Sequence, residues 1–229
     1  MKTVTELWQE LMAVYKEEGY SQTSAVLTLH PPINATELQA LQRTIKGAVW
    51  PKEYFELLSI HNGSGVDKDG LENFSIGTYF FMTSTRAITC YHRTNKFVSE
   101  ELADTNQKPQ RTQSGVQHVF WDLKWFPIMR AEDSNAMFCI DFNPAPGGKM
   151  GQIISVSYDS GVWKKWDDFS HFFKEQVETI VKDPEHQISL NAADQKILDE
   201  HYRLVEKERR EKSRESKPPV WSRWLGDKT

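Results

Sequence analysis

The sequence predicts an α+β fold, because segments with helical periodicity come first and strand-like segments follow them. In the first sixty residues, apolar side chains recur every three to four positions. From about Phe74 the chain changes to stretches rich in Phe, Tyr, Trp, Val and Ile, separated by turn residues. With 38% hydrophobic and 12% aromatic residues, the chain has enough apolar material for a sizeable core.

Three helices are predicted before the first strand. The second follows Asn34, a residue type that caps helices, with Glu37 three positions later as in a capping box. The third begins at Trp50-Pro51 and ends at His61-Asn62-Gly63. The first ends at Gly19, and its apolar stripe consists of Val4, Leu7, Trp8, Leu11, Met12 and Tyr15.

Strands are predicted near residues 74–82, 116–121, 125–131, 136–142 and 151–158. We expect one short helix and then a polar loop between Thr85 and Ser114. After the strands, either Asp167 or Asp168 is placed to cap another helix, which Pro184 closes. The predicted buried face of that helix is Phe169, Phe172, Phe173, Ile180 and Val181.

The composition changes after Pro184, so we predict one domain over residues 1–182 and an extension over 183–229. Residues 191–215 have a helix pattern whose apolar stripe ends at about Val205 and is followed by mixed charge. We therefore expect truncation at about Lys182 to leave a folded domain. The tail around Trp221 and Trp224 leaves three alternatives open: docking on the core, pairing of protomers, or contact with a partner.

The net charge of -4 disfavours a nucleic-acid binder, for which a basic stripe is expected. Cys90 and Cys139 lie far apart without a CxxC pair, which is typical of a reducing compartment. The amino-terminal segment has no signal-peptide pattern, and no run of roughly eighteen apolar residues occurs. We expect a cytoplasmic protein that contacts neither nucleic acid nor membrane directly.

The stretch CIDFNPAPGGKMGQIISV raises the question of a phosphate-binding loop. Such a loop requires glycine where Asn143 stands, and Ser or Thr where Met150 follows Lys149. Both requirements fail. Two prolines that fix φ and two glycines that allow positive φ instead favour a corner between two strands.

No other motif indicates catalysis or metal binding. The seven histidines have no HxH, HxxxH or HExxH spacing, and the chain lacks GxSxG. Asp67, Asp69 and Glu72 match a calcium loop only loosely, so a solvated turn is favoured. We therefore predict no catalytic residue, no metal and no cofactor. One or two of the eight tryptophans, if half-exposed, would suit an interface anchor.

The order of motifs resembles the SUKH superfamily, which includes fungal regulators of cell-wall assembly and bacterial immunity proteins. WPKEYFELLSIHNGSG is similar to its helix-and-NG motif, WFPIM to its W-x-P-I strand, and DFNPAPGGKMGQII to its hairpin. The resemblance covers about residues 25–182, with Trp50 where leucine is commoner. The matching positions are Trp50, Pro51, Tyr54, Leu57, Leu58, Asn62, Gly63, Trp125, Pro127, Ile128, Asp141, Pro144, Gly148, Gly151, Gln152, Ile153 and Ile154.

The resemblance implies a twisted, mainly antiparallel sheet with helices packed against it, to which this chain adds a C-terminal helical extension. In that family the hairpin is a fold signature, so we expect Asp141 to accept hydrogen bonds from backbone N–H groups of the turn. The implied function is that of a non-enzymatic immunity protein, which binds and neutralises a cognate toxin such as a nuclease or deaminase.

Acidic side chains would steer such a protein towards a cationic toxin. We therefore predict partner-binding residues at Asp67, Asp69, Glu72, Asp159 and Trp163. Two other classes of function stay open: a regulatory scaffold like the fungal members, and an unrecognised enzyme. The absence of long disordered arms favours the immunity protein over the scaffold.

Overall fold

The computed structural model describes residues 2–17, 29–65, 75–76, 79–102, 112–131, 136–157, 161–184 and 207. Five α-helices occur in these residues: α1 Val4–Glu17, α2 Ala35–Thr44, α3 Lys52–Ile60, α4 Ser84–Phe97 and α5 Phe169–Lys182. A π-helical segment, Val98–Leu102, follows α4. The strands are β1 Ser75–Ile76, β2 Tyr79–Phe81, β3 Trp125–Ala131, β4 Met137–Asp141, β5 Gln152–Ser157 and β6 Gly161–Trp166. No helix in the described ranges is long and apolar enough to cross a membrane.

The strands form one antiparallel sheet in the order β1-β2-β3-β4-β5-β6. Every strand pairs with its sequence neighbour, so the sheet is a meander whose described edges are β1 and β6. Helices pack on this sheet, which confirms the predicted α+β class.

Helices cover both faces of the sheet. Two adjacent residues of β4 show this, because successive side chains of a strand point to opposite faces. Phe138 lies 5.7 Å from Phe172 of α5, measured between ring centroids, and Trp166 lies 5.0 Å from the same ring. On the other face, Sγ of Cys90 in α4 lies 3.7 Å from Sδ of Met137. The β4 strand is accordingly buried along its whole length.

The amino-terminal helices form as their local sequence predicts. Asn34 Oδ1 accepts a hydrogen bond from Glu37 N at 3.0 Å, and Glu37 Oε2 accepts one from Asn34 N at 3.1 Å, which confirms the capping box. In α1, the predicted stripe is buried at Val4, Leu7, Trp8 and Leu11. Met12 is half-buried, and the side chain of Tyr15 lies outside the described part.

Two strand predictions need correction. Residues 116–121 are bends and irregular chain rather than a strand. Val116 and Trp121 are nevertheless buried, and Trp121 Nε1 donates to Asn95 Oδ1 of α4. The single strand predicted over 74–82 is two short strands, β1 and β2, in which Ser75 pairs with Phe80. Apolar residues that are buried in a loop, such as Val116 and Trp121, give a sequence pattern that cannot be told from that of a strand.

Two elements differ from the sequence prediction: strand β6 has no predicted counterpart, and helix α4 is longer than predicted. The edge strand β6 was not predicted, because Lys165 forms an irregularity that breaks its alternation: Trp166 pairs with Ile153, and Lys164 with Ile154. The helix expected to be short within residues 85–114 is the 14-residue α4. Its N-cap is Thr83, whose side chain accepts from Arg86 N at 3.1 Å.

The chain divides into two units, Met1–Gln187 and Ile188–Thr229. All elements above belong to the first unit. Apart from Lys207, the predicted helix over residues 191–215 and the tail with Trp221 and Trp224 lie outside the described residues. The boundary at residues 182/183 and the separability of the extension stay predictions.

Candidate functional site

The β4–β5 hairpin is built around the buried carboxylate of Asp141, which has no exposed surface. Its Oδ1 accepts hydrogen bonds from Trp125 Nε1 at 3.0 Å and from Asn143 N at 2.8 Å. Its Oδ2 accepts one from Gln152 Nε2 at 2.8 Å. Asp141 thus takes one backbone N–H of the turn, as expected, and two side-chain donors that the sequence did not indicate.

Gln152 extends this network to two further segments. Its Nε2 also donates to the carbonyl of Gly115 at 2.8 Å, and its Oε1 accepts from Lys149 N at 3.0 Å. The side chain of Lys149 instead pairs with Asp167, with Nζ 2.7 Å from Oδ2. The turn is held from inside by two buried polar side chains, which is the architecture of a structural corner.

A close backbone approach explains the glycines of this corner. A Cβ on Gly148 would overlap the carbonyl oxygen of Gly115 and lie 2.8 Å from Pro144 Cβ. Gly115 itself has φ of +87°, a backbone conformation that residues with a side chain rarely adopt. The hairpin and the loop before β3 are therefore in direct contact.

The pKa of Asp141 has opposing influences. Burial raises it, whereas the hydrogen bonds from Asn143, Gln152 and Trp125 lower it, and burial has the larger effect. Three donors already occupy the two carboxylate oxygens, and the residue has no exposed surface. Asp141 is thus placed to order the hairpin, not to accept a proton from an external substrate.

The NG motif after α3 joins that helix to α4. Asn62 is buried, and its Oδ1 accepts from Ser84 N at 2.9 Å while its Nδ2 donates to Ser84 Oγ at 3.0 Å. Gly63 has φ of +82°, and a Cβ there would lie 2.5 Å from Thr83 N. These contacts fix the start of α4 against the end of α3.

Three further motif residues lie in or beside the core: Tyr54 and Pro127 are buried, and Trp50 is half-buried. Trp50 makes edge-to-face contacts with Phe126 at 4.8 Å and with Phe142 at 4.9 Å, between ring centroids. Tyr54 is buried, and burial raises the pKa of its hydroxyl. Pro127 lies where the β3–β4 register shifts, a position that tolerates a residue without an N–H.

The comparison with known families agrees with this geometry. The chain matches the SMI1 / KNR4 family (SUKH-1) over residues 32–175, which is more than half of its 229 residues. The chain belongs to this family. No curated protein matches it. The match confirms the SUKH resemblance, and it begins seven residues later and ends seven residues earlier than the range of 25–182.

Membership in the SUKH-1 family supports the function in general terms. Its members are generally non-catalytic immunity or regulatory proteins, and the family implies protein–protein interaction. Among the described residues, no group of three or more His, Cys, Asp or Glu side chains is arranged to hold a metal ion. Burial raises the pKa of the Cys90 and Cys139 thiols, which disfavours the nucleophilic thiolate at both positions.

The predicted partner surface of this SUKH-1 protein is described at one position. Asp67, Asp69, Glu72 and Asp159 lie outside the described residues. Trp163 lies on the edge strand β6, where it pairs with Ser155 and is half-buried. The described structure therefore does not test whether the five residues form one surface, and their role in binding stays a prediction.

Sequence reasoning missed a surface ion cluster and an exposed apolar group beside the hairpin. Asp167 lies 2.7 Å from Lys149 Nζ and 2.5 Å from Lys164 Nζ, and the two lysines lower the pKa of Asp167 to about 2. Val49, Leu123 and Met150 are apolar yet more than half exposed. In the sequence, each of these three apolar residues lies outside the predicted helices and strands and has a lysine within three positions.

Proposed function

We propose that this SUKH-1 protein is a non-enzymatic immunity protein, which binds a toxin and blocks its activity. The observation that carries the proposal is family membership across the helices and sheet that surround the hairpin. The motif side chains Asp141, Gln152 and Asn62 support it, because they are buried and bonded within the fold. The function is accordingly expected at the surface.

The binding must be tight if it is to protect a cell. We expect a dissociation constant near or below 1 nM, which corresponds to about -12 kcal/mol. An interface of standard size would bury about 1,600 Å² in total. A nuclease or deaminase is the toxin class to test first, with Asp67, Asp69 and Glu72 as steering charges for a cationic surface.

The test is co-expression with the toxin domain encoded beside this protein, with cell survival and the dissociation constant as readouts. A catalytically inactive toxin variant serves as the binding partner in vitro. Wild-type protein is expected to restore survival, and replacing Asp67, Asp69 and Glu72 by lysine is expected to slow association and weaken its salt dependence. Trp163→Ala tests the proposed aromatic anchor separately.

Two outcomes would contradict parts of this proposal. Unchanged association kinetics after charge reversal would exclude the acidic residues as the steering surface. A wild-type protein that neither binds nor protects against its neighbouring toxin would contradict the immunity role. The regulatory scaffold, which binds other proteins of the same cell, would then be the function to test.

A further inference from the structure

Three apolar side chains are exposed to an unusual extent. The exposed fraction is 76% for Val49, 63% for Leu123 and 60% for Met150. The two other exposed large apolar residues of the described chain, Phe97 and Val119, reach 46% and 37%. Single exposed apolar residues are normal, whereas exposed apolar residues that form one contiguous surface mark interaction sites.

The three residues flank one set of contacts at the hairpin end of the sheet. The Trp50 and Phe142 rings pack at 4.9 Å, and Phe142 N donates to the carbonyl of Lys124 at 2.9 Å. A Cβ on Gly151 would lie 3.8 Å from Pro51 Cγ. Val49, Leu123 and Met150 are each the sequence neighbour of a residue in this set, and neighbouring Cα atoms are about 3.8 Å apart.

Lysines accompany each of these apolar residues. Lys124 follows Leu123 and Lys149 precedes Met150, while Lys46 and Lys52 stand three positions before and after Val49. Lys124 Nζ donates to the backbone carbonyl of Lys46 at 2.9 Å, so its ammonium is held in place by an acceptor without net charge. We name Val49, Leu123, Met150 and these four lysines the lysine-rimmed patch.

Carboxylates offset part of the positive charge. Asp167 pairs with Lys149, and Glu53 lies 3.9 Å from the Lys52 ammonium. Asp122 lies two residues before Lys124, and its Oδ1 accepts a hydrogen bond from Lys124 N at 2.7 Å. The Lys52 side chain is 90% exposed, so its charge stays available to a partner. The local excess of lysine contrasts with the net charge of -4 for the whole chain.

We propose that the lysine-rimmed patch binds an acidic protein segment that carries a large apolar side chain. The inference rests on the proposed function in one respect, that the chain acts by binding another protein. Apolar side chains of the segment would cover Val49, Leu123 and Met150, and its carboxylates would meet the lysines. The lysine-rimmed patch does not include the acidic residues Asp67, Asp69 and Glu72, which lie outside the described residues.

An anionic membrane would also combine negative charge with an apolar interior. Surface binding to membranes normally uses an amphipathic helix with a continuous apolar face. Here the apolar residues lie on three separate loops, and the chain as a whole is acidic. The structure therefore favours a protein segment, and membrane binding becomes an outcome of the test.

The probe is a phage-displayed library of random peptides, selected on the full-length wild-type protein. Peptides rich in Asp or Glu with a Leu, Met, Phe or Trp are expected to be enriched. Their affinity is then measured by fluorescence anisotropy on a variant with Val49→Ser, Leu123→Ser and Met150→Ser. We expect at least about a tenfold loss of affinity, since buried apolar anchors carry most binding energy.

Matched variants separate the patch from the rest of the surface. Val119→Ser removes an exposed apolar residue outside the patch and should leave affinity unchanged. Lys46→Glu with Lys52→Glu should slow association and reduce its salt dependence, whereas Lys96→Glu on α4 should not. Thermal melts that match the wild type show that each variant is folded.

Several results would overturn the proposal. These are enrichment of basic or uncharged peptides, equal affinity of the triple-serine variant, or an equal loss in Val119→Ser. Patch-dependent binding to phosphatidylserine vesicles would assign the patch to membranes, and patch-dependent dimerisation in sedimentation would assign it to a second copy. Patch-dependent binding of acidic peptides without protection against the toxin would keep this proposal and contradict only the immunity role.

Discussion

Asp141 and Asp167 both contact the β4–β5 turn, but their surroundings differ in every respect that matters for a carboxylate. Asp141 is buried among neutral donors, and burial raises its pKa. Asp167 lies at the surface between two ammonium groups, which lower its pKa to about 2. Lys149 links the two sites, because its backbone N–H bonds to Gln152 and its side chain to Asp167.

The difference shows which carboxylate the fold depends on. Water cannot readily replace a buried acceptor that is removed, so donors without a second partner are left unsatisfied. The charges of an exposed ion pair are hydrated by water when the pair is broken, so the pair contributes little to stability. Removal of the Asp141 carboxylate is therefore expected to destabilise the fold, whereas removal of the Asp167 carboxylate is not.

The largest expected effect is that of Asp141→Ala. Trp125 Nε1 and Asn143 N would each lose a buried acceptor, at a cost of about 1–3 kcal/mol per donor. Summed over these two donors, the free energy of unfolding in urea is expected to fall by about 2–6 kcal/mol. The control is Asp167→Ala, which should leave the urea midpoint unchanged. Equal losses in both variants would remove the distinction between the two aspartates.

The pH dependence of Asp141 follows from its raised pKa. The native state binds this proton more tightly than the unfolded chain, so the stability that the group contributes is present below a pH of about 3.9. This contribution is lost as the pH rises through the native pKa. The stability of wild type relative to Asp141→Asn should therefore decrease from pH 3 to pH 7. An increase over this range would contradict the burial effect.

A smaller effect is expected for Gly148→Ala. The new methyl group would overlap the carbonyl oxygen of Gly115, and overpacking of this kind costs about 3 kcal/mol at its upper range. Gly47→Ala is the matched control, because Gly47 has φ of +76° but open space around it. Its loss should be near 1 kcal/mol, from backbone conformation alone. Calorimetric melts that rank the two variants in the opposite order would contradict the close approach.

The smallest effect concerns the ion cluster. Lys149→Gln removes one of two ammonium groups beside Asp167, so the pKa of Asp167 should rise from about 2 towards its ordinary value. Because that pKa is lowered in the native state, the contribution of Asp167 to stability is present above its unfolded pKa and is lost as the pH falls through about 2. Carboxyl NMR titration measures the shift, with Lys174→Gln on α5 as the control.

The sequence by itself determined the elements with strong local signals. The capping box at Asn34 and Glu37 and strands β3, β4 and β5 were predictable, because capping chemistry and runs of β-forming residues act over a few positions. For the N-cap of α5, the sequence left two candidates, Asp167 and Asp168. Only the structure assigns it to Asp168, whose side chain accepts from His171 N at 2.9 Å, while Asp167 pairs with lysines.

The tertiary structure alone decided what each apolar or polar side chain meets. The sequence pattern around Trp121 is typical of a strand, but Trp121 lies in a loop, is buried, and donates a hydrogen bond to Asn95. The strand β6 forms by pairing with β5. Asp141 acquires two side-chain donors, Trp125 and Gln152, which lie on neighbouring strands. Such contacts join residues distant along the chain, so no local pattern records them.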